Sequence, residues 1–216
     1  MKVLIIAPHP DDEVLGCGGT IAKHAAAGDE VFLCVVTQAY TPDWAQEFIE
    51  RRPKEIKASS DILGIKDVVS LGLPTVKLDT LPQKDLNKAV GEIVKKFKPD
   101  IAYIPFKGDL NRDHRLIFES CLVALRPYSG AKKILAYEIP SETEWGDPIE
   151  HFAPNVFVDI SSTFEKKARA LNIYSSEIKD FPHPRSLENI EALARVRGSA
   201  AGMKMAEAFW LVREEM

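Results

Sequence analysis

Long apolar runs are missing from these 216 residues; none approaches the roughly 20 residues that a membrane-spanning helix requires. A basic excess is missing too. The 28 lysines and arginines face 32 aspartates and glutamates, for a formal charge of −4, so the electrostatic footprint of a nucleic-acid binder is absent. Cysteine is scarce: Cys17, Cys34 and Cys121 have no paired spacing and lie in apolar segments. Buried thiols are therefore expected, not a disulfide framework or a zinc–cysteine site. The start lacks the charged-then-apolar pattern of a secretory signal, and with no disulfide pattern the expected location is the cytoplasm. Repeats and low-complexity linkers are also lacking, so residues 1–216 are expected to form one domain with a sizeable core.

What is present alternates between strand and helix patterns. Lys2–Ile6 is a short, nearly unbroken apolar run of the kind buried on both faces of a parallel sheet. A helix is expected from Leu15 to Ala27, ending near Gly28. Glu30–Thr37 then reads as a second buried strand. Asp43 is placed to cap a helix running to Leu63, which Pro53 should break or restrict to a start near Arg51. A strand at Asp67–Leu71, a helix at Gln83–Phe97 and a strand at Asp100–Pro105 follow. Four such cycles point to a doubly wound, mostly parallel sheet. Further on come a helix from about Asp113 to Leu125 and strands at Lys133–Glu138 and Val156–Asp159. Two more helices are expected, capped by Ser161–Thr163 and by Ser186, and a last strand at Glu207–Arg213.

The most informative stretch is the turn Ala7-Pro8-His9-Pro10-Asp11-Asp12-Glu13, at the carboxyl end of the first strand, where open α/β sheets bind ligands. A helix cap accounts for one acid of the three. It does not call for an imidazole pinned between prolines, and adjacent carboxylates repel unless a cation is present. Imidazole with carboxylate suits zinc; of neighbouring acids, one ligates and another is left for acid–base work. The second informative stretch, Phe106 to Arg115, follows the fourth strand and puts His114 in the first turn of a helix. Strand ends one and four can meet, which would make His114 a third ligand. Asp113 is then placed to orient an imidazole or one of the acids. Gly16-Cys17-Gly18-Gly19 fits phosphate-cradling spacing poorly, so a nucleotide-binding protein is the weaker alternative and close helix–sheet approach the better use for these glycines. His24 and His151 carry no motif and are expected to be exposed. Trp44 and Trp145 could offer apolar faces to a sugar ring.

With these residues in view, the chain resembles the PIG-L/LmbE-like zinc-dependent de-N-acetylases. Pro8–Glu13 matches the first motif of that family and Asp113-His114-Arg115 the end of its second. Arg52, Glu55 and Leu63-Gly64 match a weaker helix motif, and Arg197-Gly198 and Ala206–Phe209 the carboxyl-terminal pattern. The resemblance implies a Rossmann-like three-layer fold, Zn2+ held by His9, Asp12 and His114, and Asp11 as the base. It implies as substrate an N-acetylglucosamine-type sugar or conjugate, with an amidase of a thiol-sugar conjugate as the near alternative. It also implies a homo-oligomer, trimer or hexamer. Glu13 and Arg52 are candidates for sugar hydroxyls. The chain departs from the family pattern at Asn111, where many members carry a histidine; an amide donates a hydrogen bond but carries no proton. His183, held between Pro182 and Pro184, is the candidate for that lost proton-carrying role.

Overall fold

A computed structural model describes residues 1–215. Seven strands form one sheet: β1 (Lys2–Ala7), β2 (Glu30–Gln38), β3 (Asp67–Pro74), β4 (Ile101–Pro105), β5 (Lys133–Tyr137), β6 (Val156–Asp159) and β7 (Ala206–Glu214). Their order is β3-β2-β1-β4-β5-β7-β6. The first five are parallel, and β7 runs antiparallel between β5 and β6. Among the described residues there are six α-helices: α1 (Asp12–Ala26), α2 (Gln46–Leu63), α3 (Gln83–Phe97), α4 (Arg112–Ala124), α5 (Phe164–Ile173) and α6 (Leu187–Ala200). The α/β class and mostly parallel sheet follow the expectation from the sequence.

Because side chains alternate along a strand, β1 feeds two cores. Val3, Ile5 and Ala7 pack with residues of α1, α2, α5 and α6 on one face. Leu4 and Ile6 pack with α3 and α4 on the other, including the helical stripe Leu86, Val90, Ile93, Val94 and Phe97. Such burial, worth about 25 cal/mol per Å² of apolar area, makes the sheet a rigid base. The strand order reverses between β1 and β4, since β2 lies on one side of β1 and β4 on the other. The loops leaving these two strands therefore open onto one crevice, the usual ligand site of an open α/β sheet.

Helix α1 is kinked at Cys17 (φ −145°, ψ 22°), and the groups freed by the kink are met from far along the chain. Glu207 on β7 accepts from the Gly19 and Thr20 N–H groups at 2.9 and 2.7 Å. Lys167 on α5 donates to the Leu15 carbonyl at 2.8 Å and to Glu207 at 2.7 Å. A Cβ on Gly16 would stand 2.2 Å from Tyr137 Cδ2, and one on Gly19 2.8 Å from Ile160 Cβ. These glycines serve close packing and form no phosphate cradle.

Several local expectations fail. Helix α2 runs unbroken through Pro53: the proline sits on the exposed side, while Arg52, Glu55 and Ile56 are buried on the other, and their packing outweighs the lost hydrogen bond, a cost of about 3 kcal/mol. Asp43 does not cap that helix, which begins after Ala45 with no side-chain cap; Asp43 pairs with Lys77 instead. Thr163 likewise leaves α5 uncapped and bonds the Gly19 carbonyl. Ser186 does cap α6, accepting from Asn189 N–H. His24 is half-buried between Asp29 and the Tyr103 hydroxyl, not exposed, whereas His151 is exposed as expected. The three cysteines are buried and free, and burial pushes the Cys34 thiol up to about 12.

Candidate metal centre

The turn after β1 is not a helix cap. Asp11, at the N-cap position of α1, makes no side-chain cap bond, and its backbone adopts φ 110°. For a residue with a Cβ this conformation is strained by about 1–3 kcal/mol, and it is held by buried neighbours. The Asp11 N–H donates to Glu13 Oε2 at 3.1 Å, its carbonyl accepts from Val14 and Leu15 at 2.9 Å each, and Glu13 Oε1 accepts from the Tyr174 hydroxyl at 2.8 Å. Glu13 is fully buried, and burial pushes its carboxyl up to about 7 despite the Tyr174 bond. Expected as a partner for sugar hydroxyls, Glu13 has no surface to offer one; it holds the backbone of its neighbour.

Three atoms converge beneath this turn. His9 Nδ1 lies 3.1 Å from His114 Nε2 and 3.3 Å from Asp12 Oδ2, and His114 Nε2 lies 3.4 Å from the same oxygen. Ligand atoms around a tetrahedral zinc, at bonds of about 2.0–2.2 Å, stand about 3.3–3.6 Å apart. The triangle fits such an ion within a few tenths of an ångström, and His9, Asp12 and His114 form a group able to hold a metal. Two further features fit. Asp12 Oδ1 is buried with no hydrogen-bond partner, a costly state for a carboxylate unless a cation is at hand. Each imidazole also turns its other nitrogen to a carboxylate: His9 Nε2 to Asp113 Oδ2 at 3.1 Å and His114 Nδ1 to Asp109 Oδ2 at 2.9 Å. Such outer contacts fix the ring tautomer and orientation of ligating histidines.

The electrostatics agree. Burial opposes ionisation of Asp12, but the two imidazoles outweigh it and hold that carboxyl well below the usual range. Burial likewise works against a charged His114, yet Asp12 and Asp109 raise it to about 10. Asp11 behaves oppositely: burial raises its carboxyl well above the usual value, with Arg185 opposing. Two buried acids adjacent in sequence thus have opposite proton affinities, the pattern that separates a ligand from a base.

Above the three atoms lies a cleft of about 250 Å³ whose walls include His9, Asp11, Asn111, Glu142, Glu177 and Arg185. Trp44, Phe48 and Ile56 give it an apolar side. Asn111 caps α4, its Oδ1 accepting from Asp113 N–H at 3.0 Å. Arg52 lines the cleft but is paired with Glu55 and Glu177 and lies over the Phe48 ring at 4.2 Å. His183 is not among the cleft-lining residues; its Nδ1 accepts from Arg185 N–H at 3.0 Å, and its ring meets Trp145 edge-on. Trp145 lies in a neighbouring groove, not in the cleft.

Sequence reasoning missed Asp109, Arg185 and Glu142. Asp109 sits five residues before His114, in the same loop, a signal within reach. Arg185 directs Nη1 to Asp11 Oδ2 at 3.1 Å and Nε to Ser141 Oγ at 2.8 Å. Only the fold brings it there, across 174 residues.

Among described residues no helix is long and apolar enough to cross a membrane. The family model for GlcNAc-PI de-N-acetylase (PIG-L) matches residues 4–125, the segment that holds His9, Asp11, Asp12, Asp109 and His114. Diacetylchitobiose deacetylase of Thermococcus kodakarensis is 29% identical over 98% of this chain and 83% of that protein. The structure of N,N′-diacetylchitobiose deacetylase from Pyrococcus horikoshii superposes with a TM-score of 0.77 at 26% identity, over 98% of this chain and 83% of that one. A conserved protein of Thermus thermophilus shares the fold, with a TM-score of 0.80 at 24% identity over 99% and 96% of the two chains. With more than half its length matched by that model, the chain belongs to the PIG-L, or GlcNAc-PI de-N-acetylase, family of amide hydrolases.

Proposed function

We propose that this protein is a zinc-dependent hydrolase that removes the N-acetyl group from an N-acetylglucosamine-type sugar or sugar conjugate. The observation that carries the reading is the triangle of His9 Nδ1, Asp12 Oδ2 and His114 Nε2, with sides of 3.1, 3.3 and 3.4 Å, whose His9 lines a cleft with one apolar wall. A zinc ion held by these residues would supply a Lewis acid and an acidified water, with a coordination position left open.

The chain's own groups then divide the work. Asp11, in the cleft wall and paired with Arg185, takes the proton of the attacking water at its carboxylate and delivers it to the departing amine. The amide C–N bond breaks, acetate leaves and the sugar amine is freed. Arg185 holds the Asp11 carboxylate in place. The Asn111 side-chain N–H₂ donates to the acetyl oxygen as negative charge develops there, its Oδ1 being committed to the backbone of α4. Asp113 and Asp109 keep the imidazoles oriented, and Arg52 shapes the cleft wall through Glu177. His183 is the rival proton carrier, and Asp11 is preferred because it lines the cleft.

Zinc content and acetate release from a panel of N-acetylated sugars test this. Asp12→Ala is expected to lose metal and activity together. Asp11→Asn is expected to keep zinc and lose turnover by about 10²–10⁴-fold, the usual contribution of a general base. Wild-type turnover in Asp11→Asn would remove Asp11 from its role, and His183→Ala losing turnover alone would install the rival. A homo-oligomer, trimer or hexamer, is the assembly we propose; light scattering reads it directly.

A further inference from the structure

Six charged or titratable side chains line the cleft: His9, Asp11, Arg52, Glu142, Glu177 and Arg185; no lysine does. Both guanidinium groups are already engaged. Arg52 Nη1 donates to Glu55 Oε2 at 2.8 Å, its Nη2 donates to Glu177 Oε1, and its plane lies over Phe48. Arg185 bonds Ser141 Oγ and Asp11 Oδ2, and stands 3.6 Å from Glu142 Oε1 and 3.7 Å from Glu177 Oε2. Among the described residues of the cleft, then, each guanidinium already has two or more carboxylates within 4 Å. Glu142 and Glu177, both partly exposed, instead keep acceptor capacity for hydroxyls or ammonium groups.

An anion entering this cleft must either pull an arginine from its carboxylates or sit beside those carboxylates. Like charges brought together in this way are disfavoured, most strongly when desolvated. A hydroxyl or an ammonium group meets no such opposition. Resting on the de-N-acetylase reading above, we infer that the part of the substrate lodged beside the acetamide is neutral or cationic. An N-acetyl oligosaccharide or an N-acetylated aminoglycoside is taken, and a glycoside carrying a carboxylate or phosphate aglycone is rejected.

The test compares kcat/KM of the zinc-loaded enzyme for three amides: an N-acetylated neutral disaccharide, an N-acetylated aminoglycoside fragment with free ammonium groups, and an N-acetylglucosaminide of a dicarboxylic acid. The first two are expected to exceed the third by about tenfold or more at low ionic strength, with the gap narrowing as salt screens the carboxylates. Glu142→Gln, and independently Glu177→Gln, are expected to raise the anionic-to-neutral kcat/KM ratio by about tenfold, whatever they do to absolute rates, by removing a like charge and loosening an arginine. An anionic substrate turned over as well as the neutral one, or a ratio unmoved in both variants, overturns this inference and leaves the hydrolase reading standing. Acetate released from none of the three overturns both.

Discussion

The metal centre has its clearest test at Asp109, a residue that touches no ion. Asp109 is fully buried; its Oδ2 faces His114 Nδ1 at 2.9 Å and its Oδ1 accepts from Thr143 Oγ1 at 2.6 Å. For His114 Nε2 to point a lone pair at a metal, the ring proton must sit on Nδ1, where Asp109 accepts it. In Asp109→Ala that N–H is buried without an acceptor, a penalty of about 1–3 kcal/mol. The metal-free ring, which holds a proton on each nitrogen in the wild type, escapes the penalty by giving up the one on Nδ1 and keeping the one on Nε2, beside Asp12. The cost therefore falls on the loaded form, and zinc affinity should drop about 10–100-fold. Asp109→Asn should be intermediate. Its Oδ1 still accepts from His114, but its amide N–H₂ then faces Thr143 Oγ1, which already accepts from Ile139 N–H at 2.8 Å. Competition against a chromogenic chelator measures the affinities, with circular dichroism to verify the fold. Zinc binding in the alanine variant within threefold of wild type, or weaker binding in asparagine than in alanine, would refute this account of the tautomer.

Other predictions concern pH, packing and the buried ion pair. His114 has a folded pKa of about 10 in the metal-free protein, above its unfolded value of about 6.5; its contribution to metal-free stability is full below the unfolded value and lost as pH rises through the folded one. Zinc must displace that proton, so the rise in Tm on adding zinc should be larger at pH 8.5 than at pH 6, and an equal or smaller rise would contradict the assignment. Gly16→Ala forces a methyl into the Tyr137 ring, whose hydroxyl holds the Ile6 carbonyl; a loss of about 1–3 kcal/mol is expected in denaturant unfolding. Lys167→Met leaves Glu207 buried without its cation and should cost about 3–5 kcal/mol, whereas Lys57→Met, which breaks an exposed pair, should cost no more than about 1 kcal/mol.

The centre of the sheet was legible in the sequence because β1, β2, β4 and β5 are buried on both faces and read as plain apolar runs. The candidate metal ligands could be picked out because two of them, with the proposed base, lie in one short turn whose prolines and acids have no cheaper explanation. His114 was legible as the histidine at the helix start after β4, the strand that the topology sets beside β1. What escaped was chiefly long-range. Arg185 lies in a different loop from Asp11, and no local periodicity joins them. Glu13 was read as a candidate for sugar hydroxyls because its motif fixes sequence position but not the side of the turn it faces; beside the left-handed Asp11 backbone it is fully buried. Pro53 misled because the rule against a proline in a helix is a local cost, and the buried side of α2 outweighs it.

The clasp on α1 has a consequence for assembly of the molecule. The helix behind the turn that carries Asp11 and Asp12 is secured by Glu207, 188 residues from Gly19, on a strand that must slot between two others. Contacts of such separation form late, since closing a long loop is costly before its rewards arrive. The segment containing the three candidate ligands is therefore not an autonomous module: cut after α4, it would keep those residues in sequence and lose the brace that holds the kinked helix against the sheet.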